Sequence, residues 1–114
     1  MEGCEVARFE HAGDVRVMSL VEGEGGDIEL REDLTGPSTL VAYGEDEMSL
    51  RVTFSPDAVP ALLAAVGQSG KGSLADYLAD EDNALVDLMD LCDARGLRYS
   101  FASVGSQSGI SIRR

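Results

Sequence analysis

The hydrophobic period of this chain changes at Phe54, and that change constrains the fold more than any other feature. Before it, Met48, Leu50, Val52 and Phe54 alternate with Ser49, Arg51 and Thr53. A period of two marks a strand with one buried and one wet face. After it, Val59, Leu62, Leu63 and Val66 recur at the i, i+3, i+4, i+7 spacing of one helix face. Strands grouped apart from helices define the α+β class.

Five strands are expected in the first half: Glu5–Phe9, Val15–Val21, Asp27–Arg31, Leu40–Tyr43 and Met48–Phe54. The segments between them carry turn residues: His11-Ala12-Gly13-Asp14, Gly23-Glu24-Gly25-Gly26, Leu34-Thr35-Gly36-Pro37-Ser38 and Gly44-Glu45-Asp46-Glu47. Gly supplies positive φ and Pro presets φ, so each is a chain reversal. Connections this short join antiparallel neighbours, which makes a β-meander.

Two helices follow, over about residues 57–67 and 73–95. Asp57 caps the first and places Pro60 in its first turn, where a missing N–H costs nothing. Gln68 to Gly72 forms a loop. Ser73 caps the second helix and Gly96 stops it. Leu97, Tyr99 and Phe101 then alternate with Arg98, Ser100 and Ala102, and Ile110-Ser111-Ile112 follows a loop at Gly105 to Gly109. That pattern predicts a C-terminal β-hairpin closing a single α+β domain over residues 1–114.

Charge carries the functional signal. The chain holds 21 Asp plus Glu against 9 Lys plus Arg, a formal net charge of −12 on 114 residues. Such a chain opposes nucleic acids and anionic membranes, whose binding depends on Lys and Arg displacing counterions. It attracts a basic protein surface instead. At 44% hydrophobic the chain has enough apolar residues for a globular core. Cys4 and Cys92 are too few and too far apart for a disulfide framework or a zinc pattern. The residues Met1-Glu2-Gly3-Cys4-Glu5 lack the apolar run of a signal peptide, and no run approaches a bilayer span. A cytoplasmic protein with reduced thiols is expected.

Three motifs resemble chemical sites and fail on spacing. Gly67 to Ser73 contains Gly70-Lys71, but a phosphate loop would need Gly at position 65 and a hydroxyl at 72, which hold Ala65 and Gly72. The run Asp80-Glu81-Asp82-Asn83 lacks the Gly and Glu that a calcium loop requires at its sixth and twelfth positions. His11 is the only histidine and lies in a turn with no nucleophile elbow near it in sequence. No catalytic residue, metal or cofactor is expected. Cys92, on the apolar side of the second helix, reads as a packed thiol.

The second helix holds the candidate surface. Asp76, Asp80, Asp87 and Asp90 project onto one stripe opposite the apolar seam. Residues 72–93 contain seven acids and no Lys or Arg. Asp is a poor helix former and like charges at i, i+4 repel, so the stripe costs stability. Glu81 would project into the apolar seam of a continuous helix. Either the helix breaks near residues 80–83, or Glu81 is a buried acid that needs a cation, for which Arg98 is a partner, or binds a proton. Residues 94–114 have the opposite sign, with Arg95, Arg98, Arg113, Arg114 and no acid.

The leading expectation is a non-enzymatic interaction module, of inhibitor, immunity or adaptor type, that binds a basic protein through Asp76, Asp80, Asp87 and Asp90. The alternatives are a structural subunit that self-associates, as a homodimer for instance, and a small-ligand or catalytic pocket between sheet and helices.

Overall fold

The computed structural model describes residues 2–68, 73–105 and 109–113, with the side chains of 2–4, 68 and 109–113 left aside. The chain order is β1 (Glu2–His11), β2 (Asp14–Glu22), β3 (Ile28–Thr35), α1 (Pro37–Tyr43), β4 (Glu47–Phe54), α2 (Val59–Gln68), α3 (Leu74–Ala79), α4 (Leu85–Ala94), β5 (Ser100–Gly105) and β6 (Gly109–Arg113). All the strands pair with their sequence neighbours in one antiparallel sheet of order β1-β2-β3-β4-β5-β6. The fold is α+β with a meander sheet, and the C-terminal hairpin extends that sheet.

Register follows the period-two pattern. Leu20 opposes Leu30, Leu30 opposes Val52, and Ile28 opposes Phe54. These residues face the helices, and with Met18 they meet Leu62, Val66, Leu78, Leu85, Leu88 and Cys92 in the core. Fully burying each such side chain contributes about 1.5–3 kcal/mol. Helix α3 lies over β1 and β2, and α4 lies over β3 and β4.

The expected strand at Leu40–Tyr43 is instead the last part of α1. The turn residues on either side act as helix punctuation. Pro37 occupies the first helical turn, and Gly44 closes the helix by donating its N–H to the Leu40 carbonyl at 2.8 Å. The N-terminal cap comes from another element: the Asp14 carboxylate accepts from Ser38 N–H at 2.8 Å and from Ser38 Oγ at 2.6 Å. Gly36, at φ 118°, makes this approach possible, because a Cβ there would lie 2.6 Å from the Gly13 carbonyl oxygen. Leu40 and Val41 are exposed on this helix, so the apolar run never enters the core.

The expected helix over 73–95 is two helices. Ser73 caps α3 as the sequence indicates: its Oγ accepts from Asp76 N–H at 3.1 Å while Asp76 accepts from Ser73 N–H at 3.2 Å. After Ala79 the chain turns. Asp80 Oδ1 accepts from Asp82 N–H at 3.0 Å, and buried Asn83 donates its side-chain amide to the Tyr77 carbonyl at 3.1 Å. Helix α4 ends at Gly96 in a Schellman arrangement, with Leu97 N–H on the Cys92 carbonyl at 2.9 Å and Gly96 N–H on the Asp93 carbonyl at 3.2 Å. No helix among the described residues is long and apolar enough to cross a membrane.

Candidate functional site

The break between α3 and α4 turns Glu81 to solvent, so Glu81 is not a buried acid. Among the described residues two acids are buried: Glu45, in the turn after α1, and Glu32, 4% exposed, on the helix-facing side of β3. Its carboxylate accepts from the guanidinium of Arg16 at 3.3 Å and from the backbone N–H of Leu85, the first residue of α4. Burial pushes the Glu32 carboxyl above its ordinary pKa, and the Arg16 charge with these hydrogen bonds opposes that rise. Arg16 also donates to the Glu81 carbonyl at 2.5 Å and lies 4.7 Å from the centroid of the Phe9 ring. One guanidinium therefore ties β1, β2, β3 and the α3–α4 turn together. The signal was present in the sequence, since Glu32 continues the alternation Ile28, Leu30, Glu32, Leu34 on the apolar face.

The four aspartates of the expected stripe lie on two helices and the turn that joins them. Asp76 sits in the first turn of α3 and Asp80 just past its end, each with its carboxylate turned onto a nearby backbone N–H. Asp87 Oδ2 accepts from Ala84 N–H at 2.8 Å, half of a capping box, since Ala84 has no side-chain acceptor to return the bond. Asp90 is exposed on α4. The break separates Asp76 and Asp80 from Asp87 and Asp90, and three of the four serve the local start or stop of a helix.

Helix α4 borders a groove of about 1190 Å³ with residues from Val86 to Asp93. Helices cover β1 to β4, and β5 carries no comparable cover. Leu50 and Phe101 form the floor, Val86, Met89 and Asp93 form the α4 wall, and Tyr43 of α1 also lines the groove. Val86 is 54% exposed, and Leu40, Val41 and Tyr43 on α1 are exposed as well. Where the chain leaves α4, Tyr99 donates its hydroxyl to Asp93 Oδ1 at 2.8 Å, and its ring lies 6.0 Å from that of Phe54. Partial burial, the bond to Asp93 and the nearby acidic charges push the Tyr99 hydroxyl up to about 12. Arg98 lines the groove and does not meet Glu81.

A smaller pocket of about 220 Å³ brings His11, Asp14 and Ser38 together. Its geometry is that of a helix cap, because Ser38 Oγ donates to Asp14 and not to the imidazole. That bond holds the Asp14 carboxyl below its ordinary range. Cys92 is buried, and burial pushes its thiol up to about 11, which keeps it protonated and unreactive. The side chain of Cys4, residues 69–72 with Lys71, and Arg114 lie outside the described residues, as does the side chain of Arg113. No group of three or more His, Cys, Asp or Glu among the described residues is arranged to hold a metal ion.

The chain matches no family model, no curated protein and no solved structure in the comparisons made.

Proposed function

We propose that this protein is a non-enzymatic acidic interaction module that binds a basic protein partner, in the manner of an inhibitor, an immunity protein or an adaptor. One contrast carries the reading. On the sheet, cations are interleaved with acids and engaged: Arg31 lies 2.8 Å from Glu29, Arg8 lies 3.1 Å from Glu10, and Arg51 donates to Ser49 at 3.2 Å. The helical layer over residues 73–94 holds seven acids and no Lys or Arg. If every cation of the chain took one carboxylate, 21 − 9 = 12 would still lack one. A surface of one sign speeds association with a partner of opposite sign and sets its orientation. The acids of α4 belong to this surface, with Asp87 and Asp90 at its centre. The reduced, buried Cys92 fits a cytoplasmic setting.

The test is affinity capture on the immobilised protein at low and at high salt, followed by identification of what elutes. A basic protein retained at low salt, and lost when Asp87 and Asp90 are both changed to Asn, is the expected result. Capture that ignores salt and the double substitution overturns the reading.

A further inference from the structure

We propose that the groove between α4 and the β4–β5 face seats an extended segment of the partner in which apolar side chains alternate with Lys or Arg. The inference rests on the basic-partner reading and adds the site and the recognition chemistry.

Shape comes first. The groove, at about 1190 Å³, is larger than the ~300–1,000 Å³ of a usual small-molecule pocket, and it lies open along α4. A small ligand would leave much of its own surface wet there. Helix α4 has 10 residues and so runs about 15 Å. An extended segment of about four or five residues covers that length at ~3.3 Å per residue. Its side chains alternate, so one set faces the floor while the other faces the walls.

Chemistry then selects the side chains. The lining is mixed: Leu50, Phe101, Val86 and Met89 supply apolar surface, and one threonine and three serines add hydroxyls. Val86 is 54% and Tyr43 44% exposed at the groove. Asp93 lines the groove, and Asp90 is exposed three residues before it on the same helix, one turn away. Arg98 is the one cation among the lining residues. Apolar side chains on the floor with ammonium or guanidinium groups against Asp90 and Asp93 satisfy both surfaces. A wholly polar basic segment would leave the apolar part of the lining wet, and an uncharged apolar one would bring no cation to Asp90 and Asp93.

Three short fluorescein-labelled peptides test this by anisotropy at low salt: alternating Lys and Leu, alternating Lys and Ser, and alternating Leu and Ser. The Lys–Leu peptide is expected to bind about tenfold tighter than either of the others, a difference worth about 1.4 kcal/mol. Val86→Ser and Tyr43→Ser, both at exposed positions, should remove its advantage over Lys–Ser. Asp90→Asn should weaken both lysine peptides together. Equal binding of Lys–Leu and Lys–Ser, unmoved by Val86→Ser, overturns the groove inference and leaves the basic-partner reading standing. If neither lysine peptide binds, both fall. Equal binding of Leu–Ser, indifferent to Asp90→Asn, overturns the cationic occupant. Concentration-dependent dimers that vanish with Val86→Ser overturn it in favour of a second copy of this chain.

Discussion

Helix α4 is held in opposite ways at its two ends. At its N-terminus a buried carboxylate, Glu32, accepts from Leu85 N–H, and Arg16 closes over both the acid and the α3–α4 turn. At its C-terminus the backbone satisfies itself through Gly96, and the side chains beyond it border an open groove. The first end is fixed by a tertiary polar network and the second by local turn geometry. The difference explains how an acidic helix stays docked on an acidic protein. Its anchoring charges are concentrated at a mostly buried pair, Glu32 and Arg16, which leaves the other end free to present Asp90, Asp93 and Tyr99.

The sharpest way to break the contrast is to remove the anchor. Arg16→Met strips Glu32 of its counter-charge and frees the Glu81 carbonyl. Breaking a buried ion pair from one side costs about 3–5 kcal/mol. The Arg16 side chain keeps 18% of its exposure, so about 3 kcal/mol is expected, a large share of the ~5–15 kcal/mol that holds such a domain together. Urea unfolding at neutral pH measures it. The pH dependence of Glu32 itself has a definite sign. Its folded pKa is raised above the ordinary 4.5, so the folded state favours the protonated form. The stability that proton contributes is complete below about 4.5 and is lost as pH rises through the folded value. Against Glu32→Gln, which cannot titrate, the native protein should therefore lose ground as pH rises from 4.5 and level off above the folded pKa. Parallel curves for the two proteins would show that Glu32 is not the titrating group at this end.

Smaller effects are expected where the helix ends are closed locally. Gly96 has φ 69° and open space around its Cβ position, so Gly96→Ala meets left-handed backbone strain and no collision. The cost should be about 1–2 kcal/mol. Asp87→Ala removes the acceptor for Ala84 N–H and should cost about 1 kcal/mol. It also removes a negative charge that helps to raise the Glu32 pKa, so its cost should shrink if that relief is felt. Thermal unfolding of the two variants beside Arg16→Met ranks the two ends directly. A Gly96→Ala deficit as large as that of Arg16→Met would overturn the division between a tertiary and a local closure.

Much of the architecture can be read from period alone. The alternations at β3 and β4, the helical spacing after Phe54, the Ser73 cap and the Gly96 stop all appear in the structure where the spacing puts them, whereas β5 begins at Ser100, three residues after the alternation that starts at Leu97. One element required information that spacing does not carry. Leu40–Tyr43 looks like a strand until Asp14, far away in the chain, is seen to cap Ser38 and start a helix there. The helix break at 80–84 is one of the two outcomes that the projection of Glu81 allows, and Arg16 bonds the Glu81 carbonyl at that turn. The acidic stripe drew on helical projection through that break, so it placed on one line four residues that the turn divides. A pocket between sheet and helices is among the alternatives the sequence offers, but its place beside α4 and β5 is a matter of topology rather than of local pattern.

The smallest expected effect is spectroscopic and bears on the open end alone. The chain has 3 tyrosines. Tyr99 is pushed up to about 12 by partial burial first, then by the bond to Asp93 and the surrounding acids. Tyr43 and Tyr77 are also raised, by burial first, with Glu32 acting on Tyr43 and Asp87 acting on Tyr77. Asp93→Asn keeps an oxygen that can accept from Tyr99 but removes the charge. In an ultraviolet titration one tyrosine should then ionise at lower pH, while the curve of Arg16→Met should leave that tyrosine where it was, provided the variant stays folded. Because phenolate formation disfavours the hydroxyl that Tyr99 donates, the same shift should loosen the groove wall before it touches the anchored end. A downward shift from Arg16→Met equal to that from Asp93→Asn would mean that the two ends of α4 act as one electrostatic unit, and the groove could no longer be treated as independent of its anchor.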